Sequence, residues 1–312
     1  MVFVNLVDLD VTSKRNPFPN LALMKLSAYH KARGDEVFLN FPLCQPDITY
    51  ASCVFTWNAK CKERFSSSTF FGGSGIDPKA ELPVEIEHTM PDYTLYPKIN
   101  FSLGFTSRGC IRKCPWCIVP EKEGYIKPWA SIYEFWDRRT TKIILMDNNI
   151  LASPNWKESL NDLIKEKLEV DFNQGLDIRL LDDEKVSLLT KVETKTLRFA
   201  FDDLAYERAI RKGLALLLKA GISPRKLSFY MLVGFNQDET AGERAEILKS
   251  YNVDIYPMVY KDEAGQEPKL DPVIFSLSGY HGSWNNLRKF QRVISRQSRD
   301  YGNNNNHSNL AV

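Results

Sequence analysis

The chain lacks long apolar segments. Its longest uninterrupted apolar runs, such as LALLL at 214–218, are far shorter than the roughly 18 residues that span a bilayer. The first residues, MVFVNLVDLD, place acids inside an apolar run and have neither a basic region nor a small-residue cleavage site, so they do not resemble a signal peptide. We therefore expect no membrane partner and a cytoplasmic location, where thiols usually stay reduced.

The chain also has little net charge, with 41 Lys and Arg against 39 Asp and Glu in 312 residues. This balance excludes a bulk attraction to nucleic acid or to an anionic membrane, so such binding would need a local patch. One candidate patch is a basic stripe on a predicted helix, formed by Arg288, Arg292, Arg296 and Arg299. The stripe keeps nucleic acid as a candidate partner. A solvated helix face is the alternative.

Histidine is scarce, and none of the four lies near the densest group of cysteines. That group is Cys110, Cys114 and Cys117, within GFTSRGCIRKCPWCIVPEKEG at 104–124. A structural zinc site usually takes four protein ligands, commonly as C-x-x-C pairs. Three thiolates on one short loop can instead hold an iron–sulfur cluster and leave one iron open. The spacing favours the cluster, and a zinc site completed by a distant histidine is the alternative.

Short apolar runs alternate with helical patterns from about 100 to 265. The six runs are NFSLGF (100–105), KIILMD (142–147), EVDFNQ (169–174), TLRFAF (196–201), KLSFYMLVG (226–234) and VDIYPMVY (253–260). Ser131 and Glu134 have the spacing of a capping box, and Ser153 precedes Pro154 at a predicted helix start. Strands that alternate with helices predict an α/β fold with a parallel sheet.

Residues 1–95 predict a separate, smaller α/β domain. The strand VFVNLVDL leads to a helix that starts near Pro19 and Asn20 and stops at Gly34, and EVFLN and ITYASCVFT follow as strands. The glycine cluster FFGGSG at 70–75 is interpreted as a turn, and residues 89–99 as a linker. The predicted domains are 1–95, 96–265 and a helical extension with a disordered tail at 266–312.

The motif C-x-x-x-C-x-x-C after a strand, with Trp116 just before the last cysteine, resembles the signature of the radical S-adenosylmethionine (SAM) superfamily. The resemblance covers roughly residues 98–265 and implies a partial (βα)6, TIM-like barrel behind a small Rossmann-like domain. It implies that Cys110, Cys114 and Cys117 hold a 4Fe-4S cluster whose open iron chelates SAM. It further implies an external electron donor such as flavodoxin or ferredoxin, and a 5'-deoxyadenosyl radical that acts on a substrate the motif does not identify.

The same resemblance implies where SAM would bind, because barrels of βα units work at the carboxyl ends of their strands. The cofactor-binding residues predicted there are Trp116, Asp147, Asn148, Asn149, Gln174, Arg179, Asp202 and Gly234. The backbone near Trp116 would approach adenine, and Asp147-Asn148-Asn149 stands where the family often has Gly-Gly-Glu for the SAM amine. The guanidinium of Arg179 would match the SAM carboxylate, with a surface ion pair as the alternative. For Asp202, capping of the next helix is the alternative.

Two subfamilies are also similar to parts of the chain. Residues 1–95 resemble the cobalamin-binding domain of radical SAM methyltransferases, but no Asp-x-His-x-x-Gly motif occurs. CPWCIVPEKEG resembles the cluster loop of methylthiotransferases, which modify RNA or protein and carry a second cluster on three N-terminal cysteines. Cys44, Cys53 and Cys61 are candidates for that cluster, and we favour structural thiols. A non-enzymatic iron–sulfur or zinc module is the remaining alternative.

Overall fold

The structure is a computed structural model that describes residues 1–11, 18–41, 45–237, 240–262 and 266. The predicted C-terminal extension beyond residue 266, including the stripe from Arg288 to Arg299, lies outside these residues, as does Cys44. The described chain is a mixed α/β protein with parallel sheets, as the sequence predicts. None of its helices combines the length and the apolar character needed to cross a bilayer.

The N-terminal part forms a four-stranded parallel sheet in the order β2-β1-β3-β4. Its elements are β1 (Phe3–Asp8), α1 (Leu21–Ala32), β2 (Glu36–Leu39), β3 (Ile48–Ser52), β4 (Phe70–Gly72) and α2 (Val84–Glu87). The three predicted strands and the predicted helix are confirmed. Helix α1 begins after Asn20, whose side chain accepts a hydrogen bond from the Leu23 N–H, and it ends before Gly34, where φ is +81°.

The next part is a three-stranded parallel sheet in the order β5-β8-β9, with a short antiparallel pair, β6 and β7, beside it. Its elements are β5 (Ser102–Gly104), β6 (Ser107–Arg108), α3 (Val119–Lys122), β7 (Lys127–Pro128), β8 (Lys142–Leu145), α4 (Trp156–Lys165) and β9 (Glu169–Phe172). The capping box of Ser131 and Glu134 is confirmed, although it starts only one turn of 3-10 helix. The predicted start of α4 at Pro154 is wrong by two residues, because Ser153 ends a preceding 3-10 turn and the helix begins at Trp156.

A buried cluster joins these two sheets. Tyr93 and Tyr96, in the segment interpreted from the sequence as a linker, pack with Met24 of α1 and Leu103 of β5. The Tyr93 hydroxyl donates to the Phe135 carbonyl oxygen and accepts from the Leu103 N–H. The Tyr96 hydroxyl donates to a carboxylate oxygen of Asp8 at 3.0 Å. The predicted boundary near residue 95 therefore lies inside a shared core.

The remaining described residues form a second three-stranded parallel sheet, in the order β10-β11-β12. Its elements are α5 (Asp183–Leu189), β10 (Leu197–Ala200), α6 (Glu207–Lys219), β11 (Leu227–Val233), α7 (Ala241–Ser250) and β12 (Asp254–Val259). Helix α6 buries Ile210, Leu214 and Leu217, the face that the periodicity predicts. All six strands predicted between 100 and 265 are thus confirmed.

The described chain divides into two compact units. The first contains residues 1–174 and 191–195, and the second contains 175–190 and 196–262. The first unit holds the cysteine loop with β1 to β9, whereas the second holds β10 to β12. The predicted cofactor-binding residues are therefore divided between the two units.

Candidate metal and cofactor site

The three clustered cysteines lie on a loop of the first unit that begins after β6 and ends before β7. Pairing of Ser107 with Pro128 and of Arg108 with Lys127 closes its base. Gly109 has φ of +81°, and a Cβ there would lie 2.4 Å from the Tyr125 carbonyl oxygen, so only glycine fits this close approach. The Cys110 N–H donates to the Gly124 carbonyl oxygen at 3.1 Å. The cysteine loop, residues 109–124, is therefore fixed at both of its ends.

Cys110 and Cys114 are partly buried within this loop, and Cys117 is exposed. The Cys110 sulfur receives the Arg112 N–H at 3.3 Å and the Asn149 side-chain amide at 3.6 Å. N–H groups directed at a sulfur stabilise negative charge on it. Across the described residues, however, no three His, Cys, Asp or Glu side chains come close enough together to hold a metal ion. The three thiols thus share one loop without converging.

Glu123, near the end of the cysteine loop, is hydrogen-bonded to Gly109 at its start. The sequence alone did not predict this role. One of its carboxylate oxygens, Oε2, accepts from the Gly109 N–H and from the Asn148 amide, both at 2.8 Å. Arg108 Nε lies 3.7 Å from the same oxygen, and the Glu123 side chain is only 7% exposed. Glu123 thereby connects the first residue of the loop with the segment after β8. In the sequence, Glu123 is visible only as an acid at the end of the loop, because Gly109 and Asn148 are distant from it along the chain.

Asp147, predicted to receive the SAM amine, is buried beneath the start of the loop. Its Oδ1 atom accepts from the N–H and the hydroxyl of both Thr106 and Ser107, at 2.5–3.1 Å. Burial raises the pKa of the Asp147 carboxyl, and the hydrogen bonds from Ser107 and Thr106 oppose that rise. In this structure Asp147 holds the turn between β5 and β6, and its contact with SAM stays a prediction.

The other predicted residues of the first unit differ in how they relate to the loop. Asn149 is buried and contacts the Cys110 sulfur, while Asn148 is partly buried and contacts Glu123. Trp116 lies on the loop itself, between Cys114 and Cys117, and is partly buried. Gln174 follows β9 and is exposed. The structure therefore brings the two asparagines to the cysteine loop, at the carboxyl ends of β5 and β8.

The second unit contains Arg179, Asp202 and Gly234. The Arg179 guanidinium forms a two-pronged ion pair with Asp177, at 2.7 and 3.1 Å, and lies 4.4 Å from the centre of the Tyr206 ring. This pair matches the ion-pair alternative in part, although it is mostly buried rather than on the open surface. A salt bridge of this kind fixes the direction in which the guanidinium points. Its role toward a carboxylate ligand stays a prediction.

Asp202 follows the carboxyl end of β10 and accepts a hydrogen bond from the backbone of the neighbouring strand β11. Its side chain accepts from the Leu232 N–H at 2.8 Å, and the neighbouring Asp203 caps the following turn by accepting from the Ala205 N–H. Gly234 follows β11 with φ of +84°. Arg244 of α7, which the sequence analysis did not identify, is fully buried and donates to the carbonyl oxygens of Phe201 and Leu232 at 2.6 and 2.9 Å. These contacts fix the carboxyl ends of β10 and β11.

Two further cysteines lie in the N-terminal part. Cys53 is buried with Val7, Leu9 and Ala51, and Cys61 packs against this cluster. Burial raises the pKa of the Cys53 thiol to about 11, which disfavours the thiolate that metals bind. The turn predicted over FFGGSG at 70–75 is confirmed only from Gly73 onward, because Phe70–Gly72 form β4, and a Cβ on Gly73 would lie 2.2 Å from the Cys53 carbonyl oxygen.

Neither the models of protein families nor the curated protein sequences include a match to this chain.

Proposed function

We propose that this protein is a radical SAM enzyme that binds a 4Fe-4S cluster through Cys110, Cys114 and Cys117. The observation that carries the proposal is their position. The three thiols lie on one loop, fixed at both ends, which follows β5, the first of six strands that form parallel sheets, and the short strand β6. Polar residues follow the neighbouring strand and contact that loop. A structural zinc site usually takes four cysteine or histidine ligands, and the loop contains no fourth cysteine and no histidine.

The residues present fit an iron–sulfur cluster by their chemistry. Three thiolates can hold three irons and leave the fourth iron for a ligand from outside the protein. The Cys110 sulfur already receives two N–H donors, the kind of contact that tunes a cluster. When bound with SAM, such a cluster would supply the electron that cleaves the sulfonium to give a 5'-deoxyadenosyl radical. A cytoplasmic flavodoxin or ferredoxin would deliver that electron.

The chain's own residues would orient SAM and keep the loop in place. Glu123 and Asp147 fix the loop and the turn before it, Asn149 contacts the Cys110 sulfur, and Asn148 contacts Glu123. We assign the SAM amine to this asparagine pair, because the Asp147 carboxylate already accepts four donors. The backbone near Trp116 would approach the adenine, as the resemblance implies, and Gln174, which follows β9, would also contact SAM.

In the second unit, we propose that Arg179 receives the SAM carboxylate and that Asp202 and Gly234 contact the adenosine side. The parallel order β5-β8-β9 and β10-β11-β12 supports a proposal that the six strands form a partial (βα)6 barrel. For the N-terminal sheet we propose no cobalamin site, since the chain has no Asp-x-His-x-x-Gly motif. The hydrogen donor on which the radical acts belongs to the substrate.

The experiment is anaerobic reconstitution with iron and sulfide, followed by addition of dithionite and SAM. We expect a brown protein with about four irons per chain and formation of 5'-deoxyadenosine. Each of the variants Cys110→Ala, Cys114→Ala and Cys117→Ala should lose SAM cleavage. Cys61→Ala is the matched control, because Cys61 is a partly buried thiol outside the loop and should be dispensable.

Three outcomes would count against the proposal. Retained cleavage in all three single variants would remove the assignment of the ligands. Zinc bound by the same cysteines, with no 5'-deoxyadenosine formed, would assign a structural module. A 4Fe-4S Mössbauer signal that survives in the triple cysteine variant, with about eight irons in the native protein, would indicate a second cluster and favour a methylthiotransferase-like enzyme.

A further inference from the structure

A surface of exposed aromatic and basic residues follows β3 in the first unit. We call it the aromatic–basic surface and define it by Val54, Phe55, Trp57, Lys60, Lys62 and Arg64. The residues Val54, Phe55 and Trp57 are 46%, 45% and 50% exposed. Residues Thr56–Arg64 form a 3-10 helix that buries none of its members. Large apolar side chains grouped in this way on a surface mark an interaction site more often than scattered ones do.

The rings of Phe55 and Trp57 are stacked on one another. Their centroids are 4.7 Å apart, and the angle between their planes is 13°. Nearly parallel rings of this kind present a flat outer face on which a third planar ring can stack. The two rings therefore form a small stacking platform.

Asp10 holds the start of this platform in place. Its carboxylate accepts from the N–H groups of Val54 and Phe55 and, at 2.8 Å, from the side-chain amide of Asn58. On the other side, the Ser74 hydroxyl donates to the Val54 carbonyl oxygen. A backbone fixed before binding loses less conformational entropy when a partner arrives. The platform is thus preorganised rather than a mobile loop tip.

Positive charge lies beside the rings. Lys60, Lys62 and Arg64 are all exposed, and Glu63 is the only acid between residues 54 and 64. In a 3-10 helix, residues three apart are aligned, which places Lys60 directly along the helix from Trp57. Within the described residues the structure gives these three cations no ion pair. Their charge is available to an anionic partner.

The surface also lies where a parallel sheet binds ligands. Strand β1 is central, the chain moves from it to β2 on one side, and it then returns to β3 on the other side. The strand order thus reverses between β1 and β3, and Asp10 and Val54 follow the carboxyl ends of these two strands. Open α/β sheets place their ligands outside this point.

We propose that the aromatic–basic surface binds single-stranded nucleic acid. Bases would stack on the Phe55 and Trp57 rings, and phosphates would contact Lys60, Lys62 and Arg64, a combination on which single-strand binding proteins rely. An acidic polypeptide would satisfy the cations but offers no regular series of planar rings for the platform. This inference goes beyond the proposed function and does not depend on the cluster or on SAM.

The test measures binding of fluorescein-labelled 12-nucleotide oligoadenylate and oligouridylate RNA to the full chain by anisotropy, between 50 and 200 mM salt. Because base stacking on an aromatic ring contributes strongly to the binding free energy, Trp57→Ala should weaken RNA binding roughly 5- to 100-fold. The loss should be larger for oligoadenylate than for oligouridylate. The triple variant Lys60→Ala, Lys62→Ala, Arg64→Ala should reduce the log–log salt slope by about 2, since each phosphate contact on a single strand contributes about 0.7.

Two matched controls separate this surface from general effects. Phe70→Ala removes a 60% exposed ring at the amino end of β4, and Lys191→Ala, Lys212→Ala, Lys219→Ala removes three exposed cations elsewhere. Both should bind like the native chain, and circular dichroism should show all variants folded. Absence of RNA binding, unchanged binding in Trp57→Ala, or equal losses in the controls would overturn the proposal. Polyglutamate that binds as tightly, with the same variant losses, would assign the surface to an acidic polypeptide instead.

Discussion

Replacing Asp147 tests whether this carboxylate is a structural clamp. The Asp147→Ala variant removes the acceptor of four donor groups and leaves the N–H groups of Thr106 and Ser107, both in fully buried residues, without their acceptor. The two hydroxyl groups can rotate toward other acceptors, but the two backbone N–H groups cannot. The loss of folding stability should therefore come mainly from the two backbone N–H groups that have no acceptor in the variant.

The magnitude follows from those two N–H groups. A buried donor that loses its acceptor costs about 1–3 kcal/mol, so Asp147→Ala should lower the free energy of unfolding by about 4 kcal/mol. Asp147→Asn should cost roughly half as much, because Oδ1 accepts all four donors and an asparagine oxygen can occupy its place. For a unit of this size, about 4 kcal/mol corresponds to a decrease in Tm of ~8–16 °C.

The assay is thermal and urea unfolding of the cofactor-free protein, followed by near-ultraviolet circular dichroism. Asp183→Ala is the control, since Asp183 is exposed in the first turn of α5 and should change the unfolding free energy by no more than about 1 kcal/mol. An Asp147→Ala protein as stable as the native one, or an asparagine variant as unstable as the alanine variant, would refute the reasoning.

Three further predictions follow from other buried groups. Glu123→Gln places an amide where a carboxylate accepts from Gly109 and Asn148, so the reconstituted variant should lose iron to a chelator several-fold faster than native protein, whereas the exposed Glu121→Gln should not. Arg244→Ala leaves the carbonyl oxygens of Phe201 and Leu232 without their donor and should cost about 2–6 kcal/mol in urea unfolding, against less than about 0.5 kcal/mol for the exposed Arg208→Ala. Burial lowers the pKa of the Lys25 ammonium group below 10.5, and the nearby Glu87 carboxylate opposes this shift. At pH values between the lowered pKa and 10.5, the unfolded chain therefore keeps a proton that the folded chain has released. The stability of native protein relative to Lys25→Met should therefore rise with pH across that window, and a difference that stays flat or falls would contradict this.

Local signals were enough to predict most of the secondary structure. Helix α1 has a side-chain cap at Asn20 and a glycine just beyond its end, and both signals act within one turn of the helix. The six strands after residue 100 are short apolar runs between helical patterns, and each of them is present. The start of α4 was wrong because Ser153 and Pro154 are compatible with either a helix start or the end of a 3-10 turn. Only the packing of Ile150 and Leu151 selects the second.

The candidate site was predictable as a position but not as a set of contacts. The spacing of the cysteines and the polar residues after β8 indicate where chemistry would occur. Glu123 reaches back 14 residues to Gly109 and forward 25 to Asn148, separations that no sequence periodicity reveals. Asp147 shows the converse case, since its side chain looks available in the sequence but is enclosed by Thr106 and Ser107 in the fold.

The tyrosine cluster between the first two sheets has a consequence for limited proteolysis. Tyr96 contacts Asp8, 88 residues away, and Tyr93 contacts Leu103 and Phe135, so cleavage within 89–99 would cut the chain without separating the pieces. The nicked halves should co-elute in gel filtration and part only in denaturant, as in a fragment-complementation system. A fragment expressed from residue 96 onward would lack Met24 and Tyr93 from the core around Leu103, and should precipitate unless residues 1–95 are supplied in trans.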